Sequence, residues 1–383
     1  MGMQEIFEGI HYRTGQPIEV QVGDGRITEI RHKEIGIPRN HIAPGLVDLQ
    51  INGFKGIDFN EAGLKKEDVV AMTHSLWEAG TTSYYPTLIT NSDANITSAI
   101  KTIVQACRDV IINDSIGGIH LEGPFLSKEE GPRGAHPPEH IKAPDWALFC
   151  EWQKEAEGWI KLITLSPEWP GSIAFIKQCV ASGVTVSIGH TSAAPERIAE
   201  AVAAGAKCST HLGNAAHLML PRHPNYIWEQ LAQEHLWATL IADGFHLPDS
   251  VLKVFLKVKS GKSILVSDST KFAGMPPGPY QSHIGGEIEL DDTGRLFLKD
   301  SPGLLAGSAR SLLECVDHLI NRGLARVDEA LDMASLKPME LLQKVPVNDL
   351  AKNNKADFLL FERNGDKIEI IHTVKSGKIV YSL

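Results

Sequence analysis

Residues 171–211 read GSIAFIKQCVASGVTVSIGHTSAAPERIAEAVAAGAKCSTH, and the same order of elements occurs twice within them. In each half a helical pattern ends at a glycine, Gly183 or Gly205, where a left-handed residue can close the last helical turn. A short apolar run follows each glycine and leads to a histidine, His190 or His211. Short apolar runs that alternate with helices are typical of parallel strands, so this stretch predicts two neighbouring strands of a parallel sheet.

The same alternation continues on both sides of this stretch, from residue 44 to residue 343. Helical patterns cover residues 65–80 and 308–323, for example, and a strand pattern begins directly after Gly80. One barrel domain of this kind typically takes about 250 residues. We therefore predict an α/β fold whose main domain, residues 44–344, is a (β/α)₈ TIM-like barrel.

Both ends of the chain are rich in strand patterns. Residues 18–30 alternate apolar and polar side chains around Gly23-Asp24-Gly25, which is typical of a β-hairpin. Near the other end, short strand patterns are separated by Asn364-Gly365 and by Ser376-Gly377. Because chain termini often lie close together, we predict a second, small β-sandwich domain built from residues 1–43 and 345–383.

The composition excludes several classes of partner. Hydrophobic residues make up 43% and charged residues 22% of the 383 residues, which is ordinary for a globular protein. A net charge of -10 repels phosphodiester backbones and anionic lipid, so we expect neither a nucleic-acid nor a membrane partner. Five scattered cysteines without a C-x-x-C pair, and a charged segment over residues 1–20 in place of a signal sequence, favour a cytoplasmic protein.

Ionisable side chains recur at the ends of the predicted barrel strands. The C-terminal mouth of a parallel barrel is where active sites are assembled, so these side chains are expected to converge on one pocket. The five strand ends are residues 119–122, 186–190, 208–211, 240–246 and 264–268, and they carry Glu122, His190, His211, Asp243 with His246, and Asp268.

Two imidazoles and a carboxylate, from Glu122, His190 and His211, form a ligand set for a divalent metal with a position left open for water. Zinc is the first expectation and iron the second. A bound metal lowers the pKa of water and polarises a carbonyl, which amide hydrolysis requires, and Asp268 is then the catalytic acid and base. Taken singly, each residue also has a structural explanation as a helix cap or a hydrogen-bonded core group. We interpret Asp243 as structural.

Six sequence blocks give the chain a resemblance to a known family. They are PGLVDLQING (44–53), HLEGP (120–124), GHT (189–191), THLGNA (210–215), ADGFH (242–246) and LAGS (305–308). In order, spacing and flanking residues these blocks resemble the N-acetylglucosamine-6-phosphate deacetylases of the amidohydrolase superfamily. The resemblance implies a metal held by Glu122, His190 and His211, with Asp268 as the acid and base. Many amidohydrolases bind a second metal through an His-x-His pair, which is Gln50-Ile51-Asn52 here, so one metal per subunit is expected.

The same resemblance suggests the substrate contacts. It implies that His136 assists in polarising the acetyl carbonyl and that His246 contacts the sugar. It also implies that backbone N–H groups of Asn214 and Ala215 bind a phosphate together with Arg222. The guanidinium of Arg222 can hold phosphate oxygens in bidentate fashion, from its own subunit or from the neighbour in a homodimer.

Some positions depart from the family pattern. Family members usually carry an aromatic residue at the position of Gly213 and a methionine at that of Ala216, and residues 269–271 also differ. We interpret His217 and His223 as surface or loop histidines. The expected reaction is deacetylation of N-acetylglucosamine 6-phosphate to glucosamine 6-phosphate and acetate. The alternatives are N-acetylgalactosamine 6-phosphate, a cyclic amide, an N-acyl amino acid, or an inert barrel that only binds a partner.

Overall fold

A computed structural model of the chain describes residues 5–34, 36, 38–282, 286–343 and 349–383. The strands are β1 (Glu5–His11), β2 (Pro17–Gly23), β3 (Arg26–His32), β4 (His41–Pro44), β5 (Leu46–Ile51), β6 (Gly53–Phe54), β7 (Ile57–Asp58), β8 (Thr81–Ile89), β9 (Ile119–Glu122), β10 (Ile160–Leu165), β11 (Thr185–Ile188), β12 (Cys208–Ser209), β13 (Trp237–Leu240), β14 (Ser263–Leu265), β15 (Gly278–Ser282), β16 (Gly286–Leu290), β17 (Leu296–Leu298), β18 (Ser301–Leu305), β19 (Phe358–Asn364), β20 (Lys367–Lys375) and β21 (Lys378–Ser382). The α-helices are α1 (Lys66–Glu78), α2 (Asp93–Ala106), α3 (Val110–Ser115), α4 (Trp146–Glu155), α5 (Ser172–Ala181), α6 (Pro195–Ala203), α7 (Tyr226–Ala232), α8 (Asp249–Val258), α9 (Leu312–Asn321), α10 (Val327–Met333) and α11 (Leu336–Gln343).

The predicted barrel is confirmed. Within the described residues, eight strands pair in the order β14-β13-β12-β11-β10-β9-β8-β5, and all of these pairings are parallel. The segment after β14 returns to the first barrel strand, because the backbone N–H of Asp268 donates to the carbonyl of Gln50 at 2.9 Å. Every residue of β5, β9 and β11 is buried, as expected for strands covered on both faces.

The two helix-closing glycines of the opening stretch behave as predicted. Gly183 and Gly205 have φ values of +86° and +111°, in the region that favours glycine over residues with a side chain. Helix α5 ends just before Gly183 and β11 begins just after it, while Gly205 separates α6 from β12. Each of these two strands therefore follows a short helix and its closing glycine. The histidine lies just beyond the C-terminal end of the strand.

Both chain ends join one sheet, as predicted. Its order is β21-β20-β19-β4-β1-β2-β3, so β4 lies between a strand from each end of the chain. The sheet folds back on itself, since the N–H of Ile27 in β3 donates to the carbonyl of Asn354, just before β19, at 3.0 Å. Phe7 and Phe358 pack edge to face across the enclosed core at 5.0 Å. The predicted boundary between residues 344 and 345 lies outside the described residues.

An additional antiparallel sheet, β15 to β18, was not predicted. It lies between residues 278 and 305, after the last barrel strand, and Ser282, Ala306 and Gly307 at its margins line a cavity at the barrel mouth. None of the helices in the described residues combines the length and apolarity needed to cross a bilayer.

Candidate active site

Three buried side chains converge at the C-terminal mouth of the barrel. Glu122 is the last residue of β9, while His190 and His211 each stand two residues beyond the ends of β11 and β12. Oε1 of Glu122 lies 3.3 Å from Nε2 of His190 and 3.2 Å from Nε2 of His211. The two Nε2 atoms are 3.0 Å apart. The structure therefore brings together the three residues that the sequence suggested as metal ligands.

The surrounding chain fixes the direction of these groups. Nδ1 of His190 faces the carbonyl of Pro132 at 3.0 Å, so it carries a proton, and Nε2 is the ring nitrogen that faces Glu122. The side-chain amide of Gln50 donates to Oε1 of Glu122 at 2.8 Å. His190 and His211 have φ values of +49° and +30°, a left-handed conformation that costs free energy in residues with a side chain.

The donor set fits one divalent cation. Ligand atoms about 2.1 Å from a common ion are separated by about 3.0–3.4 Å, and the three observed separations lie in that range. Burial opposes the negative charge of Glu122, but hydrogen bonds from His190 and His211 outweigh it and hold the pKa of Glu122 well below its usual value. An ionised carboxylate beside two imidazole nitrogens is the chemistry that zinc and related metals select.

His136 approaches the same cluster from the loop that follows β9. Its ring packs against that of His190 at 4.3 Å, and donor atoms of Glu122, His136 and His190 lie within 4.8 Å of one another. Nε2 of His211 lies 3.2 Å from Glu122 and 3.0 Å from His190, so the geometry favours His211 over His136 as the third member of the donor set. Nδ1 of His136 faces the hydroxyl of Thr90 at 2.8 Å, and burial together with His190 holds the pKa of His136 well below its usual value. His136 is therefore neutral.

Asp268 lines the same cavity and stands three residues beyond β14. The side-chain amide of Asn52 donates to its Oδ1 at 2.8 Å, and its φ is +45°. Burial, and then the nearby Glu122 carboxylate, raise the pKa of Asp268 to about 6. A carboxyl group with a pKa near 6 can both accept and return a proton close to neutral pH.

His246 is turned toward this part of the mouth by Asp243. Nδ1 of His246 faces Oδ2 of Asp243 at 2.7 Å, and Oδ1 of Asp243 accepts from the backbone N–H groups of Phe245 and His246 at 2.9 Å. Asp243 thus has a structural task, in agreement with its interpretation from the sequence. His246 is close enough to Asp268 to lower the pKa of that carboxyl.

Comparisons with known proteins identify the family. The model of the family described as "Amidohydrolase family" matches residues 41–380. This chain belongs to the amidohydrolase family. It is 35% identical over 313 residues to the N-acetylglucosamine-6-phosphate deacetylase of Bacillus subtilis, covering 78% of this chain and 77% of that protein. It is also 30% identical to an N-acetylgalactosamine-6-phosphate deacetylase of Shewanella, with 89% and 83% coverage. The crystal structure of the N-acetylglucosamine-6-phosphate deacetylase of Thermotoga maritima superposes with a TM-score of 0.83, at 26% identity and covering 99% and 100% of the two chains.

Several residues of this amidohydrolase site were missed by the sequence reasoning. The cavity has a volume of about 160 Å³ and includes Asn52, Asn60 and Thr270 in its lining, beside the predicted residues. Gln50 and Asn52 were noted in the sequence only as lacking metal-binding imidazoles. In the structure their amide groups hold the two carboxylates, Glu122 and Asp268, in place. The signal that could have found them is their position at the end of the first barrel strand.

A chain of polar groups lies beneath the ligands of the amidohydrolase barrel. Nδ1 of His120 faces the carbonyl of Leu49 at 3.0 Å, and its Nε2 faces the Thr164 hydroxyl at 2.7 Å. The hydroxyl of Thr164 is in turn hydrogen-bonded to the hydroxyl of Thr210 at 2.7 Å. Burial lowers the pKa of His120 to about 4, so the ring is neutral and can link these groups without a charge. The groups of this chain thus have hydrogen-bond partners within the barrel interior.

The residues suggested for phosphate binding lie to one side of the cavity. The side-chain amide of Asn214 donates to the carbonyl of His211 at 3.2 Å, and Ala215 has a φ of +48°. Both residues line a recess next to His190. Arg222 is exposed and has no hydrogen bond or ion pair within the described part of the chain. The structure therefore brings Asn214 and Ala215, but not Arg222, next to His190 of their own chain.

The two loop histidines of this region have different surroundings. His223 is exposed, as predicted, whereas His217 is half-buried between Glu129 and Tyr226. Gly213 has no room for the aromatic side chain that is usual at this position in the family. A Cβ there would lie 2.8 Å from the ring of Phe255, on α8.

Proposed function

We propose that the chain removes the acetyl group from an N-acetyl amino-sugar phosphate, with N-acetylglucosamine 6-phosphate as the leading substrate. Water is consumed, the C–N bond of the acetamide breaks, and acetate and glucosamine 6-phosphate are released. The observation that carries this proposal is the buried group Glu122, His190 and His211, which lines one cavity together with Asp268. Deacetylases among the relatives support the choice of reaction.

Glu122, His190 and His211 would hold one divalent metal ion, for which zinc is the first choice and iron the second. When bound, such an ion supplies Lewis-acid polarisation of a carbonyl and lowers the pKa of water. Amide side chains are weak metal ligands, and those of Gln50 and Asn52 already donate to Glu122 and Asp268. This favours a single ion over a pair.

The remaining catalytic tasks fall to Asp268 and His136. The Asp268 carboxylate accepts a proton from the attacking water and returns it to the leaving nitrogen, as its raised pKa allows. With Nδ1 of His136 accepting from Thr90, Nε2 carries the ring proton and can donate to the acetyl oxygen. His246, oriented by Asp243, contacts the sugar ring from the adjacent strand end.

The phosphate would be bound by the backbone N–H groups of Asn214 and Ala215 and by the guanidinium of Arg222. Since Arg222 is exposed and does not line the cavity of its own chain, we assign it to the neighbouring subunit of a cytoplasmic homodimer. Two apolar side chains next to it, Leu218 and Met219, are 96% and 90% exposed, and such a patch favours a protein contact.

A panel of four sugars tests the function. Acetate release is measured with N-acetylglucosamine 6-phosphate, N-acetylgalactosamine 6-phosphate and both unphosphorylated sugars, at equal metal loading. We expect the glucosamine phosphate to give the highest kcat/KM. Preference for the galactosamine phosphate supports the alternative that the Shewanella relative suggests. Equal rates without the phosphate contradict phosphate recognition, and turnover of only a cyclic amide or an N-acyl amino acid contradicts the proposal.

Two substitutions separate metal binding from proton transfer. Asp268→Asn should retain the metal and lose about 10²–10⁴-fold in kcat, because the general acid and base is removed. His190→Ala should lose both metal and turnover, since one of three ligands is missing. Metal content is measured on each purified protein. Asp366→Asn, an exposed change on the small sheet, is the control and should match the wild type.

A further inference from the structure

Two loops of the amidohydrolase site are tied together by a group of three side chains. Nε2 of His217 lies 3.0 Å from a carboxylate oxygen of Glu129, and its Nδ1 lies 3.0 Å from the hydroxyl of Tyr226. The backbone N–H of His217 also donates to that hydroxyl at 2.9 Å. We propose that Glu129, His217 and Tyr226 form a clasp that positions the two substrate-binding loops. The inference rests on the proposed function and adds positioning residues to it.

The hydrogen-bond roles within the clasp are mutually consistent. The Tyr226 hydroxyl accepts from the His217 backbone, so its own proton goes to Nδ1 of the ring, and Nε2–H then donates to Glu129. Burial, and then Glu129, raise the pKa of Tyr226, which keeps the hydroxyl protonated. Both ring nitrogens of His217 are thus occupied, so His217 serves as a link between the loops and not as a ligand for substrate.

The clasp joins segments that carry different parts of the site. Glu129 belongs to the loop after β9, which also presents His136 and the Pro132 carbonyl that orients His190. His217 and Tyr226 close the base of a projecting loop, residues 217–226, whose exposed part carries Arg222. Asn214 and Ala215 lie directly before this loop. One small network therefore sets the distance between the catalytic loop and the expected phosphate contacts.

The close packing of the two loop backbones next to the clasp is independent evidence that the loops are joined there. Gly131 of the β9 loop has a φ of +92°, and a Cβ there would lie 3.0 Å from both the carbonyl oxygen of Ala216 and the Cα of His217. Only glycine fits so close to another backbone segment in this conformation. The two loops are therefore in direct contact where the clasp joins them.

Substitutions of the three clasp residues should differ in the size of their effects. Tyr226 is buried and makes both contacts to His217, whereas the side chain of Glu129 is 61% exposed and that of His217 28% exposed. A hydrogen bond of this exposure contributes little, since water competes for both partners. Tyr226→Phe and His217→Ala should therefore raise KM by about tenfold, whereas Glu129→Gln should raise it by only about twofold.

The first measurement follows the loop directly, without substrate. In Tyr226→Phe the N–H of His217 loses its acceptor, so hydrogen exchange in peptides covering residues 212–225 should accelerate by about tenfold in the full-length, metal-loaded enzyme. Unchanged exchange in this variant overturns the clasp. His235→Ala replaces an exposed histidine beyond α7 and should leave exchange in these peptides as in the wild type.

The second measurement is steady-state deacetylation of N-acetylglucosamine 6-phosphate. Tyr226→Phe and His217→Ala should raise KM by about tenfold while kcat and metal content stay within about twofold, because loop position and not chemistry is disturbed. His217→Gln, which can still donate to Glu129, should recover part of the KM. Faster exchange with unchanged KM overturns the positioning role, and so does a parallel loss of kcat and metal. If the wild type hydrolyses no amino-sugar phosphate, the proposed function fails while the exchange data still decide whether the clasp holds the loops.

Discussion

Four non-glycine residues around the mouth of the barrel have left-handed backbone conformations. They are His190, His211, Ala215 and Asp268, with φ between +30° and +49°. Such a conformation costs on the order of 1 kcal/mol or more, and it persists only where surrounding contacts fix it. At three of these positions it turns a side chain into the cavity immediately beyond a strand end. The strain is thus located where the side chains must converge.

Gly213 provides a residue-scale prediction about this region. A Cβ at Gly213 would meet the buried ring of Phe255 at 2.8 Å, and its φ of +93° is itself unfavourable for alanine. Gly261 has a similar φ of +75° with nothing within 4 Å, so it isolates the conformational cost. Gly261→Ala should lose about 1 kcal/mol of unfolding free energy, and Gly213→Ala about 1–3 kcal/mol more. Urea unfolding measures both, and equal losses would show that Phe255 yields without cost.

The residues of the site differ in how far the sequence could predict them. Glu122, His190, His211 and Asp268 could be suggested as ligands and base because each stands at the end of a strand that could be recognised locally. The roles of Gln50 and Asn52 could not, because their hydrogen-bond partners lie 72 and 216 residues away. His217 is interpreted from the sequence only as a surface or loop histidine for the same reason, since nothing near it in sequence indicates Glu129.

At the scale of elements, burial decides what the sequence could predict. Strands β9 and β11 are buried along their whole length, and each begins shortly after a glycine that follows a helix, with an apolar residue at every second position. The sheet of β15 to β18 was missed because β15 and β18 have no fully buried residue. Without a buried face, these segments lack the hydrophobic alternation that marks a strand, and backbone pairing alone leaves no sequence pattern.

The contact between α9 and the small sheet leads to a pH prediction. Asp317 on α9 accepts from the backbone N–H of Ile368 in β20 at 3.1 Å. Burial raises the pKa of Asp317 to about 6, above the value of about 4 in an unfolded chain. The folded state therefore favours the protonated acid, and stability that is fully present below about pH 4 is lost as the pH rises through 6.

Asp317→Asn should remove this pH-dependent loss. Its amide oxygen can still accept from Ile368, so the variant should be more stable than the wild type by about 1–2 kcal/mol at pH 8, after allowance for solvent screening. The gain should shrink at pH 5, which urea unfolding at both pH values measures. Asp317→Ala also loses the acceptor for the Ile368 N–H, so its gain in stability should be smaller than that of Asp317→Asn. A gain in Asp317→Asn that does not change with pH would contradict this origin.

At the scale of the molecule, the two chain ends and the barrel are interlocked. Strand β4 of the small sheet is followed within two residues by β5, the first barrel strand. In return, the Thr373 hydroxyl of β20 donates to the carbonyl of Trp77, at the end of α1, at 2.7 Å. The small sheet therefore holds the start of the barrel strand whose far end carries Gln50, next to Glu122.

The charge of the whole molecule bears on how an anionic substrate is bound. The net charge is -10, and Glu122, Asp58 and Asp268 line the cavity itself, so a sugar phosphate needs cations placed locally. Arg222 is the cation that the family resemblance suggests, yet it lies exposed on the projecting loop beside Leu218 and Met219. In the proposed homodimer, the neighbouring subunit supplies this arginine to the site and covers the apolar patch.

Mixing two inactive variants tests that arrangement. Asp268→Asn subunits lack the base, and Arg222→Ala subunits lack the phosphate contact. In a hybrid dimer whose Arg222 acts in the neighbouring subunit, one site has both groups and the other has neither. Half of the dimers in an equal mixture are hybrids of this kind, so exchange of subunits should restore about a quarter of the wild-type activity at low substrate. If Arg222 instead serves its own chain, each hybrid site lacks one group and mixing restores nothing. The matched control is an equal mixture of Asp268→Asn and His190→Ala subunits. Both residues serve the site of their own chain, so every site in this mixture lacks one of them. The mixture should stay inactive whether Arg222 acts in its own chain or in the neighbour.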